Sequence, residues 1–97
     1  MKYLLMAIRD RASKVYDRPV PTRSEPEAIR MLADIAKDES TMIGQHPDDF
    51  TMFHIGYYDD ATGTITPEDA PAKVATASEA LGMYGKQVVP INKEVTN

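Results

Sequence analysis

Ninety-seven residues, 42% of them apolar and 27% charged, provide for one modest core and not for two. There is no cysteine, which excludes a disulfide framework and thiolate chemistry, and no run reaches the roughly 18 apolar residues of a membrane span. The net charge of −4 conceals a dipole: residues 1–23 carry six cations against two carboxylates, whereas residues 24–70 carry eleven carboxylates against two cations.

The N-terminal run Tyr3 to Ile8 is almost wholly apolar and reads as a strand covered on both sides or lying at a subunit contact. It is short for a signal peptide and lacks an obvious small-residue cleavage site, and the absence of cysteine makes a reducing, intracellular setting the expectation. Arg9-Asp10-Arg11 ends the strand. Ser13 to Thr22 is extended, because Pro19 and Pro21 remove backbone donors and bias the preceding residues toward β geometry. Such a segment suits an edge strand or an ordered arm and is incompatible with a central strand.

Ser24-Glu-Pro-Glu27 has the form of a capping box, with the Ser24 hydroxyl accepting from the third backbone N–H and Glu27 reaching back to the Ser24 N–H. Ile29, Leu32, Ile35 and Ala36, flanked by Ala28 and Met31, then make one helical stripe that ends near Asp38. A connection follows, with a short turn around Thr41 to Gly44 and extended geometry before Pro47. Thr51 to Tyr58 is the strongest strand. Strict alternation puts Phe53, Ile55 and Tyr57 toward the helix and Met52, His54, Gly56 and Tyr58 on the other face. A hairpin turn through Asp59-Asp-Ala-Thr-Gly63 leads to a return strand at Thr64 to Thr66, with Gly63 at positive φ. Pro67 to Pro71 reads as a loop, Lys73 to Ala77 as a last strand, and Ser78 to Leu81 as a helical turn closed by Gly82. The fold class is therefore α+β: a small antiparallel sheet with one main helix on one face, in a single domain over residues 1–82, and a loose, flexible tail over 83–97. Pairing with a second copy is one way for such a sheet to cover its edges.

No catalytic constellation is expected, and no cofactor. His46 and His54 match no recurrent zinc spacing, even with Asp48 and Asp49 as added ligands. The Asp59 to Gly63 turn lacks the ligand spacing of a calcium loop. What stands out is a binding surface in which cations interleave with an aromatic: Arg9, Arg11, Lys14, Tyr16, Arg18 and Arg23. Cations that follow phosphates and π-faces that stack on bases are what single-stranded nucleic acid requires. With Tyr57 assigned to the core, Tyr58 is the stacking residue expected from the central strand. The same charges also fit an edge strand kept soluble, or halves of the chain paired with each other or with a second copy.

Three motifs carry a family resemblance. Ile8-Arg9-Asp10 ends the first strand, and Ala28, Arg30, Leu32 and Asp34 mark the helix. His46-Pro47-Asp48-Asp49-Phe50 precedes a hairpin with Ile55, Gly56, Tyr58, Asp59, Asp60 and Gly63. Together, over Tyr3 to Leu81, they resemble the small nonstructural protein of gokushovirus-type microviruses, single-stranded DNA phages of bacteria. The resemblance implies DNA binding in the host bacterial cytoplasm during viral genome replication, at the switch to single-strand synthesis and packaging. It brings no catalytic residues, and implies structural roles for Pro47 and Asp49 at the start of the strand and for Asp59, Asp60 and Gly63 in the turn. A non-enzymatic module that self-associates or engages a replication or capsid protein is the alternative. No membrane partner is expected.

Overall fold

The computed structural model describes residues 1–85. The tail expectation for residues 86–97, including docking through Val88, Val89 and Ile91, lies outside them. The fold is α+β, as the sequence indicates. Strand β1 (Lys2–Asp10) is central. On one side it pairs with an interrupted edge, β2 (Val15–Tyr16) and β3 (Val20–Thr22), and on the other with β4 (Phe50–Asp59), which pairs with β5 (Thr64–Thr76). All pairings are antiparallel. Strands β3 and β4 therefore run parallel on either side of β1, and helix α1 (Glu25–Lys37) connects them as the crossover of a split β–α–β unit.

The arm before α1 forms the expected edge, and its prolines sit where a missing donor is harmless. Ser24 caps α1, its hydroxyl accepting from the Glu27 N–H at 3.2 Å. The other half of the box differs from expectation, because Glu27 accepts from the Arg23 N–H at 2.9 Å rather than from Ser24. Asp38 ends the helix as expected. Its buried face is Ala28, Ile29, Leu32, Ala33 and Ala36, so Ala33 joins the stripe while Ile35 is only half-buried. Thr41 caps the short α2 (Met42–Gln45), and a single 3₁₀ turn, Pro47–Asp49, leads into β4.

The alternation expected of β4 is corrected. Met52 is fully buried against α1, and Phe50 joins it in the core with Met6 and Leu32. Phe53 points the other way. The register explains this: Ile8 pairs with Met52 and Met6 with His54, but Leu5 pairs with Gly56, which leaves Ile55 as an extra residue. That bulge shifts the period-2 pattern, so Tyr57, across from Leu4, returns to the helix side while Ile55 does not. Tyr57 is not core, being 37% exposed.

The hairpin turn forms as expected. The Gly63 N–H donates to the Asp59 carbonyl at 2.8 Å with φ at +73°, and the Asp59 carboxylate accepts from the Ala61 N–H at 3.0 Å. Beyond it, the expected loop and separate last strand are one continuous edge strand, β5. Pairing jumps from Gly56–Pro67 to His54–Ala72, so residues 68–71 bow out of register without ending the strand. The helical turn after β5 is α3 (Ala77–Ala80). It is capped by a full Thr76–Glu79 box and continues as a π-type turn over Leu81–Gly85, so Gly82 does not close it. Ala77 and Ala80 are fully buried, and these small side chains let α3 lie close on the alanines of α1.

Candidate nucleic-acid interface

Thirteen residues of α1 span about 20 Å, while the ten of β4 span about 33 Å. One face of the sheet is thus partly covered by α1, and among the described residues no helix lies on the other. Cross-strand partners share a face, so the register assigns the helix-free side: Tyr3, Leu5, Ala7 and Arg9 on β1, with Tyr58, Gly56, Phe53 and Thr51 across from them on β4.

Two aromatic clusters stand on this face. Tyr16 on β2 and Phe53 on β4 meet edge to face, with ring centres 5.5 Å apart, although β1 runs between their strands. Their rings span β1 above Ala7, which accounts for the burial of Ala7 apart from the helix-side core. The Arg9 guanidinium carbon lies 5.8 Å from the Tyr16 ring centre, a cation–π contact, and Lys73 pairs with Phe53 across the β4–β5 ladder. The second cluster is Tyr3 and Tyr58, stacked at 6.4 Å with an interplanar angle of 29°.

Of the residues expected to bind nucleic acid, Arg9, Tyr16 and Tyr58 thus share one face. Lys14 sits in the turn between β1 and β2 at φ +63°, its N–H donating to the Asp10 carbonyl at 2.7 Å. Arg11 is tied to the Pro47–Asp49 turn, its Nη2 2.6 Å from the Asp49 carboxylate and its N–H 2.8 Å from the Asp49 carbonyl. Arg18 lies toward the helix side. Together with Asp17, 3.9 Å away, it borders a cavity of about 300 Å³ whose other walls include Met6, Ile8, Met31 and Met52. Arg23 is exposed beside the cap of α1. Phe53, Tyr3 and Lys73 escaped the sequence reading. Phe53 was hidden by the bulge, and the β4–β5 register that sets Lys73 beside it is not written in local pattern.

Charge is segregated. The outward positions of β1 and β4 hold no carboxylate, although the chain has fifteen. Asp10 and Asp59 pair with helix-side positions, Asp60 hydrogen-bonds the Met1 amine at 2.7 Å, and Asp48 accepts from the Ser78 hydroxyl. Asp38 accepts from the Ser40 hydroxyl and N–H, which hold its carboxyl below the usual range. His46 is exposed after α2, whereas His54 Nδ1 lies 3.0 Å from the Glu68 carboxylate on β5. Among the described residues no group of three or more His, Cys, Asp or Glu side chains is placed to hold a metal ion, and no helix is long and apolar enough to cross a membrane.

Residues 3–80 match the sequence model of a family described as Phage ORF5 protein. The chain belongs to that phage protein family. The matched span nearly coincides with the one carrying the Ile-Arg-Asp, His-Pro and Asp-Asp-x-x-Gly motifs, so the phage relationship read from those motifs stands. No match was found among curated proteins or among solved structures. Within this phage protein the motif residues build structure: Asp49 holds Arg11, and Asp59 and Gly63 close the hairpin.

Proposed function

We propose that this phage protein binds single-stranded DNA on the helix-free face of its sheet. It would act without catalysis or cofactor during viral genome replication in the host cytoplasm, as the nonstructural protein of a gokushovirus-type microvirus. The observation that carries the proposal is the carboxylate-free outer face of β1 and β4, with two aromatic clusters and Arg9 upon it, in an otherwise acidic chain. Aromatic rings serve any base as a stacking surface, and the base faces they need are free in a single strand but covered by neighbouring pairs in a duplex. The segregation removes the difficulty that the negative total poses, since a polyanion approaching this face meets no carboxylate from its central strands. Arg11, paired with the Asp49 carboxylate, and Lys14, in the turn after β1, lie beyond Arg9 at the end of that strand.

The test is fluorescence anisotropy of a labelled single-stranded oligonucleotide, with a duplex control, at about 50 and about 200 mM salt. Binding that prefers the single strand and weakens with salt is expected. No binding at either salt, or equal affinity for duplex, overturns the proposal.

A self-associating interaction module is the second reading, favoured by the uncharged tip of β5, where Ile65 is 63% exposed between Thr64 and Thr66 on a sheet edge. Sedimentation showing only monomer at micromolar concentration removes its self-associating form.

A further inference from the structure

Resting on single-strand binding at the helix-free face, we infer that one DNA strand is held at two separate stacking stations and runs along β1 and β4 between them. The first station is Tyr16–Phe53 and the second is Tyr3–Tyr58. Tyr3 lies across from Tyr58 and Ala7 across from Phe53, so the stations are four β1 residues apart, about 13 Å along the strand. Stacked bases in a strand advance about 3.4 Å per nucleotide, so this gap corresponds to about four stacked nucleotides, and to fewer in a strand drawn out.

The ground between the stations carries no aromatic ring and no charge. Its rung is Leu5 and Gly56, and Gly56 has no side chain because a Cβ there would come within 2.6 Å of the Thr66 carbonyl oxygen of β5. A strand joining the stations passes over the Leu5 side chain and the β5 backbone packed beside Gly56, with the aromatic rings at either end. The stations also differ in charge. Arg9 and Lys73 flank the first, although Lys73 also lies 3.5 Å from the Glu79 carboxylate. Leu5 along β1 and Ile65 across β5 are uncharged neighbours of the second, and the charges beyond its far end, the Met1 ammonium and the Asp60 carboxylate, pair with each other at 2.7 Å. The first station supplies stacking together with phosphate neutralisation, and the second supplies stacking alone.

Oligothymidylates of about two and about eight nucleotides separate the stations, because only the longer one reaches both. Phe53→Leu and Tyr58→Leu keep apolar bulk while removing the ring, and urea unfolding of each variant verifies its fold. For the longer oligonucleotide each variant is expected to lose about five- to a hundredfold in affinity. The Tyr58→Leu variant should keep the wild-type salt slope, and Arg9→Ala should make it shallower. The wild-type protein should bind the longer oligonucleotide at least tenfold more tightly per site than the dinucleotide. Two results overturn the two-station path while leaving single-strand binding intact: unchanged affinity of folded Tyr58→Leu for the longer oligonucleotide, or equal affinity of wild type for both lengths. Failure of the wild type to bind any single strand overturns the function itself, and the path with it.

Discussion

Met52 and Phe53 are adjacent, and the fold predicts opposite consequences for their loss. Met52 is fully buried beneath α1, in the core with Met6 and Leu32. Truncation to Ala removes its transfer free energy and leaves a cavity that α1 and β1 only partly close, about 3 kcal/mol within the usual span for such sites. Phe53 lies half-buried on the far face, where its ring meets that of Tyr16 edge to face. Phe53→Ala forfeits part of its burial and one edge-to-face contact, about 1.5 kcal/mol. A domain of this size has a total stability of about 5–15 kcal/mol, so the first change removes about a fifth to more than half of it. Equilibrium urea unfolding followed by far-ultraviolet circular dichroism reads both. With a slope of about 1–1.5 kcal/mol per molar, Met52→Ala should lower the midpoint by about 2–3 M and Phe53→Ala by about 1 M, with the slopes unchanged. If Phe53→Ala proves the more damaging, the bulge at Ile55 and the register around it are wrong, and uninterrupted alternation is right. The same pair also dissociates stability from binding, since only the Phe53 change should weaken single-stranded DNA.

Gly56→Ala drives a Cβ to within 2.6 Å of the Thr66 carbonyl oxygen and 3.1 Å of Pro67 Cα, both backbone atoms of β5, and should cost about 1–3 kcal/mol by thermal unfolding. Thr76→Ala removes the hydroxyl that accepts from the Glu79 N–H at 3.0 Å, and should cost about 1 kcal/mol because α3 anchors Ala77 and Ala80 in the core. Glu79 is held below its ordinary value by the Thr76 N–H first and the Lys73 charge second. Its contribution is therefore complete at neutral pH and fades as pH falls below about 4.5 through the lowered value. Stability of the wild type should fall more steeply in that range than that of Glu79→Gln; parallel acid limbs would exclude the cap as a source of acid sensitivity. Changing Arg9, Arg11 and Arg18 together to Ala should weaken single-strand binding and leave the circular dichroism spectrum intact. Arg18→Ala alone should have the least effect of the three, because it borders the helix-side cavity.

The sequence by itself determined whatever is decided within a few residues. Ser24 and Asp38 mark the ends of α1 because caps act on the nearest unpaired backbone groups. Gly63 marks the hairpin because positive φ disfavours a Cβ. Pro19 and Pro21 keep the arm at an edge for want of a donor. The α+β class and the cationic, tyrosine-bearing arm follow from the same short-range chemistry.

Only the tertiary structure decided which way the side chains of β4 face. A strand's period is fixed locally, but its phase is set by its partners, and the extra residue at Ile55 exists only relative to Leu5 and Met6 on β1. The same holds for β5, where Pro67 to Pro71 has loop composition yet stays in an edge strand because pairing with β4 resumes at Ala72. The candidate interface is equally a product of register. Tyr16 and Phe53 are 37 residues apart in the chain, and they meet because β1 sets their strands on either side of a small Ala7. Composition makes the chain acidic. The β1–β4 register puts Asp10 and Asp59, the two carboxylates of these strands, at helix-side positions, and so leaves their outward positions without one.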